Sequence, residues 1–490
     1  MLVSSILPYA CDHANLDALR ALDLYLTACK PKEEEDAYSL QLFGRLYSKL
    51  LRNLSSPFHK IRLLTLHIFS LFEQPHDSDG SERTIHWPVF SLCMSAELVP
   101  PMVHEYRKKL QHLEGLEFTA VSMYLSKYPE YSKVPLYFLL GNLYINFQLL
   151  WEPTSKLIAS YAQGMNITDF WEVFREKLHL AKQQITGFRP ESTSFIPLNR
   201  DFLLDFFSKH NQFDDKPDYN NYRLLLWKTM TEFPEVCETK NRDISPLFLT
   251  FLEEEYFKSN AEVANSWSIK IRSPVEEKKV NDTELMEADE IMEDAELTTI
   301  SKELVKVPKS SQTNAKEMLK TLLAHMSVFS KMKNPRSMYR EPDLNKMYLD
   351  LLTHRNPDVQ KMALDCLMSY KHKFLVPYRE HMYGLIDDKT FKTELTVFQI
   401  DKESELIQTE HRSELMPFIM RILYSKMLAR TSVRSGGSGQ LRRSLVLRFL
   451  AGCHENEMLH FVEMAFKIYA KYLNGMLLYN TCNVGERLVL

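Results

Sequence analysis

Glycine is scarce in this chain, with 13 among 490 residues. Phosphate-binding loops and tight β-hairpin turns rely on glycine, because it adopts backbone conformations that other residues avoid. Convincing runs of alternating apolar and polar residues, which mark half-buried strands, are also missing. The sequence therefore argues against a β-sandwich and against a glycine-rich nucleotide-binding α/β fold.

Cysteine is sparse and scattered, and no two cysteines form a C-x-x-C pair. An odd, dispersed set argues against a disulfide framework and against a zinc cluster, and it indicates a reducing compartment. The seven positions are Cys11, Cys29, Cys93, Cys237, Cys366, Cys453 and Cys482.

A large excess of either charge is absent as well, since the formal net charge is −4 and the pI is near 6.5. The whole chain therefore lacks the electrostatic footprint of a nucleic-acid binder. One uncharged run, 134–151, reaches the length of a membrane span. It contains Asn142 and Asn146, which would share one face of a continuous helix. We expect a helix buried in the protein core rather than a bilayer crossing.

Helical periodicity is clearest between residues 344 and 370. Five apolar residues at helical spacing precede Asn356, and a second set follows it. Asn356 suits a helix N-cap and Pro357 suits the first helical position, since its missing N–H costs nothing there. The pattern predicts helix, tight turn, helix. The first apolar stripe is Leu344, Met347, Tyr348, Leu351 and Leu352, and the second is Val359, Met362, Ala363, Cys366, Leu367 and Tyr370.

A similar unit lies near the start of the chain, with Ser56 as the expected cap and Pro57 as the expected first helical residue. In its second helix, Ile61, Thr65 and Phe69 occupy the positions of an apolar stripe. A lone helix pair cannot cover its own stripes and needs neighbours. Pairs of this design are typical of HEAT-like repeats of about 40–47 residues. We predict an all-α fold, a HEAT-like α-solenoid of stacked antiparallel helix pairs; an ordinary helical domain is the alternative.

The predicted organisation has two helical blocks separated by an acidic segment. Between Glu276 and Glu303 there are 11 Asp or Glu and 3 Lys, which predicts a disordered linker. Ser273, followed by proline at the edge of this linker, is a candidate phosphorylation site, with an unmodified linker serine as the alternative. Because the last residues complete no clear repeat, we expect a fragment or a truncated form. The predicted segments are 1–258 (helical block), 259–312 (acidic linker), 313–473 (second block, with a basic loop at 430–443) and 474–490 (irregular tail).

The strongest local charge feature extends from Leu415 to His454, where Asp and Glu are absent. Its middle has the Gly and Ser composition of a loop. Cations on such a loop can follow a phosphate backbone and release counterions. A solvated loop facing acidic protein surface is the alternative reading. The candidate RNA-binding residues are Lys426, Arg430, Arg434, Arg442, Arg443 and Arg448.

Catalytic and cofactor motifs fail on inspection. His454 and His460 are six positions apart, whereas the H-E-x-x-H zinc helix requires four. The glycine-containing stretch 435–444 lacks the Gly-Lys-Ser/Thr of a phosphate-binding loop. Single histidines such as His67 and His325 fit structural roles. We predict no enzyme activity, no catalytic or metal-binding residue, no cofactor, no small-molecule substrate and no membrane association.

Several segments of the chain resemble a known protein family, which gives information on function that residue spacing does not. The run "MYREPDLNKMYLDLLTHRNPDVQKMALDCLMSYKHKFLVPYRE" and the segments "LMPFIMRILYSKM" and "LLGNLYINFQLLWEP" resemble an internal portion of the very large HEAT-repeat protein of the small-subunit processome. This family is also called "down-regulated in metastasis". The resemblance covers about residues 40–472 and is most specific at 338–380. The C-terminal tail departs from the family pattern.

The resemblance implies a nucleolar, non-catalytic scaffold in small-subunit pre-ribosome assembly and pre-18S rRNA processing. Its implied partners are pre-ribosomal proteins, pre-rRNA and the box C/D small nucleolar RNP. The rival hypothesis is an α-solenoid adaptor or transport receptor whose concave face binds a protein or peptide.

Overall fold

A computed structural model of the protein describes eight stretches of the chain and divides it into two compact units, Met1–Thr239 and Lys240–Leu490. The described residues are 16–29, 40–73, 89–125, 129–187, 217–258, 309–400, 406–428 and 438–464. These residues form helices and turns without an extended strand. The predicted all-α fold of HEAT-like paired helices is confirmed.

The first unit is a succession of helices that pack largely against their neighbours in sequence. A 3-10 helix, Leu51–Ser55, follows the second helix directly. The helices are α1 (Leu16–Cys29), α2 (Leu40–Leu50), α3 (His59–Ser70), α4 (Val89–Leu98), α5 (Tyr106–Glu114), α6 (Phe118–Leu125), α7 (Lys133–Asn142), α8 (Gln148–Gly164), α9 (Ile167–Gly187), α10 (Tyr219–Met230) and α11 (Pro234–Thr239).

The second unit begins with a helix that contains a proline and continues into a π-helical turn, Phe251–Tyr256. A final helical run occupies 455–464. The helices are α12 (Asn241–Thr250), α13 (Lys309–Ser330), α14 (Glu341–Leu351), α15 (Pro357–Met368), α16 (Arg379–Ile386), α17 (Phe391–Val397), α18 (Thr409–Leu428) and α19 (Ser438–Leu450).

Local sequence chemistry explains where α15 begins. The side chain of Asn356 accepts a hydrogen bond from the backbone N–H of Asp358 at 2.7 Å, and Pro357 is the first helical residue. Both predictions are confirmed. All five residues of the first predicted stripe are buried, and so are those of the second stripe except Met362, which is half-buried. Paired apolar stripes therefore form the interior of this helix pair.

The predicted cap at Ser56 is wrong by two residues. Helix α3 begins at His59, its N-cap residue is Phe58, and no side chain caps it. Ser56 instead accepts a hydrogen bond from the backbone N–H of Phe58 at 3.3 Å, inside the turn that precedes the helix. Pro57 lies in that turn because the preceding 3-10 helix extends as far as Ser55.

The uncharged run 134–151 forms two helices rather than one. Helix α7 ends at Asn142, a turn follows, and α8 begins at Gln148. Asn142 is buried and its amide donates to the Phe138 carbonyl at 3.0 Å, whereas Asn146 is exposed. The expected shared face of the two asparagines is therefore wrong, but α7 is buried from Val134 to Asn142, as predicted. Across the described stretches, no helix combines the length and the apolar character needed to cross a membrane.

Helix α12 and the π-helical turn belong with the second unit. The ring of Phe248 stacks on Phe329 of α13 at 5.0 Å between centroids, and Phe251 stacks on His325 at 4.5 Å. The second compact unit therefore begins at Lys240. The division at 258 that the change in composition predicts stays a prediction. Residues 259–308 of the predicted acidic linker, the candidate Ser273 and the tail 474–490 lie outside the described residues.

Candidate nucleic-acid interface

The predicted RNA-binding residues lie on or between α18 and α19 in the second unit. Arg430 and Arg434 are outside the described residues. Lys426 lies in the last turn of α18, and α19 carries Arg442, Arg443 and Arg448. The structure separates these four into an inward-facing pair and an outward-facing pair.

Lys426 is buried and bonded within the protein. Its ammonium donates to Asp388 Oδ1 at 2.7 Å and to the carbonyl oxygen of Ile386. It also lies 5.7 Å from the centroid of the Phe391 ring. Burial lowers the pKa of Lys426, and the hydrogen bond and charge of Asp388 oppose that change. Lys426 therefore fastens α18 to the turn between α16 and α17, and its ammonium is not presented to a phosphate backbone.

Arg442 faces the same carboxylate. Its Nη1 atom lies 3.7 Å from Asp388 Oδ1, and its side chain is 17% exposed. Asp388 thus holds two cations that sequence reasoning assigned to RNA. No signal near 426 or 442 identifies this partner, because Asp388 lies 38 positions before Lys426.

Arg443 and Arg448 are exposed on α19. Leu441 and Leu447, which are 50% and 55% exposed, lie on the same helix. Because residues four apart share a helical face, Arg443 and Leu447 form one mixed cationic and apolar strip. Of the described candidates, Arg443 and Arg448 are the two that solvent, and therefore a nucleic acid, can reach.

Two arginines of α18, Arg412 and Arg421, contact the helical run after α19. Arg412 donates to both carboxylate oxygens of Glu457, at 2.8 and 3.0 Å, and to the Ile400 carbonyl at 2.5 Å. Arg421 donates to the Pro417 carbonyl at 2.9 Å, and it lies 3.1 Å from the Nε2 atom of His460. His460 is thus part of a packing contact within the unit. The paired fork of Arg412 and Glu457 has the geometry of a strong charge-assisted interaction.

The remaining predicted structural histidines have protein partners. His67 Nδ1 lies 2.6 Å from Asp23 Oδ1, and His325 Nδ1 lies 2.6 Å from the Thr321 carbonyl oxygen. In the part of the chain that the structure describes, no group of three or more His, Cys, Asp or Glu residues could hold a metal ion.

Comparison with known proteins finds a family match that includes α18 and α19. Residues 316–483 match the family model "U3 small nucleolar RNA-associated protein 20, N-terminal". The chain is similar to U3 small nucleolar RNA-associated protein 20 of Saccharomyces cerevisiae, with 28% identity over 203 residues. It is also similar to the protein of that name in Schizosaccharomyces pombe, with 30% identity over 134 residues.

Both relatives are far longer than the matched segment. The match covers 41% of this chain and 6% of the budding-yeast protein, and 26% of this chain and 5% of the fission-yeast protein. The resemblance that the sequence carries, to an internal portion of a large processome repeat protein, is confirmed by these matches.

Proposed function

We propose that the chain is a non-catalytic scaffold segment in assembly of the small-subunit pre-ribosome and in pre-18S rRNA processing, located in the nucleolus. The observation that carries the proposal is the family match over 316–483, which includes most of α13 and all of α14 to α19. The relatives' name associates them with U3 small nucleolar RNA. Pre-ribosomal proteins, pre-rRNA and a box C/D small nucleolar RNP are the proposed partners of this chain.

Packed helices suit a positioning role. Each helix pair covers its apolar stripe against neighbours and leaves its outer face to partners, as in repeat proteins generally. The RNA contact proposed here is made by Arg443 and Arg448, together with Arg430 and Arg434 of the preceding segment, for which the sequence predicts a loop. Each cation that neutralises a phosphate releases counterions, so binding should weaken as salt rises.

Sedimentation tests the scaffold proposal. The tagged full-length chain should migrate with large pre-ribosomal particles in a gradient of nucleolar extract, and ribonuclease should release it. Crosslinking in the same extract should recover pre-rRNA and U3 small nucleolar RNA. Migration only in small complexes that resist ribonuclease would contradict the proposal.

A groove in the first unit favours the adaptor as a second candidate. The groove has a volume of about 650 Å³ and is lined by α8 and the end of α5. Its lining includes Glu114 and Glu117, Glu152 paired with Lys156 at 2.7 Å, and Leu149, which contributes apolar surface. A peptide with both basic and apolar side chains would complement this lining. Ribonuclease-resistant complexes that depend on these three carboxylates would favour the adaptor.

A further inference from the structure

Two loops of the second unit meet at one end of a helix pair. Helices α14 and α15 are antiparallel and joined by the short turn at 352–356, so the segment before α14 and the segment after α15 lie at the same end. Electrostatics agree with this arrangement, because the charge of Arg336, before α14, acts on Tyr370 and on His372, after α15. Burial raises the pKa of the Tyr370 hydroxyl after α15, and the charge and hydrogen bond of Glu341 at the start of α14 raise it further.

This end of the pair is rich in exposed cations. Residues 331–340 contain four Lys or Arg and no Asp or Glu, and residues 371–373 add two lysines. Among the described residues the anions nearby are fewer: Glu341, Asp343, which pairs with Arg340 at 2.6 Å, Glu253, whose charge acts on Arg340, and Glu414, whose charge acts on His372. The cations, all exposed, are Lys331, Lys333, Arg336, Arg340, Lys371 and Lys373.

Backbone strain coincides with two of these cations. Arg340 has φ 59° and Lys371 has φ 52°, and within the described stretches they are the two non-glycine residues with positive φ. This left-handed conformation costs a side-chain-bearing residue on the order of 1–3 kcal/mol, and glycine or asparagine adopts it more cheaply. The chain thus has a long cationic side chain at both positions where the backbone favours glycine.

Aromatic rings accompany the cations. Tyr339 is 47% exposed, and its backbone N–H donates to Asn241 Oδ1 at 3.0 Å, which fixes the loop beside Arg340. In the second loop, His372 lies between the rings of Tyr370 and Phe374, at 5.5 and 5.0 Å between centroids. The turn that carries the two lysines is therefore held by ring contacts, and Tyr339 presents an aromatic surface among cations.

We propose that the loops 331–340 and 371–373 form a binding site for an unpaired stretch of RNA. The cations neutralise phosphates, and the Tyr339 ring stacks on a base, as in single-strand recognition generally. The exposed ring favours RNA over an acidic peptide, because a carboxylate-rich partner gains nothing from an aromatic face. The inference deepens the proposed function by assigning a second RNA surface, away from α19, and it adopts the kind of partner proposed there.

Glycine substitutions test the site, because they remove the cationic side chains and relieve the backbone strain at the same positions. A loss of RNA binding is then not explained by a loss of stability. The full-length Arg340→Gly, Lys371→Gly double variant should keep or raise the thermal midpoint, since glycine relieves the left-handed strain. Its affinity for fluorescent oligouridine should fall, and the salt slope should drop by about 0.7 per lost phosphate contact, or about 1.4 in all. Arg355→Gly, in the turn at the opposite end of the pair, removes one exposed cation away from the site and is the control, with an expected salt slope that stays unchanged.

Tyr339→Leu tests the stacking contact. We expect about 5- to 150-fold weaker oligouridine binding with an unchanged salt slope, since stacking involves no counterion. Affinity and slope that stay at the unsubstituted level in the double variant would overturn the site, as would equal binding of a polyglutamate peptide. These measurements use purified protein, so they can fail while gradient sedimentation still supports the proposed function, and the reverse also holds.

Discussion

Arg62 and Glu97 form an ion pair in the interior of the first unit. Arg62 Nη2 lies 2.6 Å from Glu97 Oε1, and the two side chains are 2% and 0% exposed. His59 contacts the same carboxylate oxygen at 2.6 Å. Burial raises the pKa of Glu97, but attraction to Arg62, the His59 hydrogen bond and attraction to Lys109 outweigh it and hold the pKa at about 2.

Glu97→Gln should destabilise the first unit by about 3–5 kcal/mol, because it leaves the Arg62 charge buried without its partner. Urea unfolding followed by tryptophan fluorescence measures this, since four of the five tryptophans lie in residues 1–239. Glu152→Gln removes an exposed carboxylate that pairs with Lys156 and is the control, with an expected change below about 1 kcal/mol. Equal effects of the two substitutions would contradict a buried ion pair.

Glu73→Gln should remove a pH-dependent part of the first unit's stability. The Glu73 carboxylate accepts hydrogen bonds from the backbone N–H groups of Phe90 and Ser91, at 2.7 and 3.0 Å, at the start of α4. Burial raises its pKa from 4.5 to about 7, against the lowering effect of these bonds. Since the folded pKa exceeds the unfolded one, this contribution is complete below pH 4.5 and is lost as the pH rises through 7.

The measurement is urea unfolding of both proteins between pH 4 and 8. The difference in unfolding free energy between wild type and Glu73→Gln should change by on the order of 3 kcal/mol across this range, falling as pH rises. A difference that does not vary with pH would show that Glu73 has its ordinary pKa.

Gly141→Ala should destabilise the first unit by about 1–3 kcal/mol. A Cβ atom at Gly141 would lie 2.6 Å from the Leu54 carbonyl oxygen and 3.1 Å from Ser55 Cα, and backbone atoms cannot yield as a flexible side chain does. Gly44→Ala is the matched control, because a Cβ there meets nothing within 4 Å. The control should raise stability by up to about 1 kcal/mol through helix propensity. Thermal unfolding of both variants shows whether the effect of Gly141→Ala comes from the steric clash with Leu54 and Ser55 or only from the helix propensity of alanine.

Arg443→Ser and Arg448→Ser should each lower the salt slope of structured-RNA binding by about 0.9 if each contacts one phosphate of a duplex. Arg442→Ser is the control, since Arg442 faces Asp388 and its loss should leave the slope unchanged. Filter binding across a salt series measures all three. A larger effect from Arg442 than from Arg443 would reverse the assignment of inward and outward arginines.

Local sequence rules predicted the α14–α15 pair because the chemistry is local. Asn356 caps the backbone two residues ahead, and apolar residues three and four apart must share a face. The burial of Lys426 and its ion pair with Asp388 could not be predicted in this way. Its partner Asp388 is distant in sequence, and only the packing of α18 against the preceding turn brings the two together.

The same limit explains the error at Asn142. An uncharged run of 18 residues predicts burial correctly, because burial depends on composition. It does not predict where the helix ends, since the turn after Asn142 depends on backbone bonds such as Tyr144 N–H to the Gly141 carbonyl at 3.2 Å. The strained backbone at Arg340 and Lys371 could not be predicted from sequence either, because long cationic residues have no preference for positive φ.

The burial of nearly all of α7 has a consequence for the synthesis of the first unit. Every residue from Val134 to Asn142 is buried, and α7 packs against α8 and α9, which follow it in the chain. During translation this apolar segment therefore stays exposed until the end of α9, at Gly187, has left the ribosome tunnel. A translational pause between these points would lengthen the time in which a chaperone, or another nascent chain, can capture it.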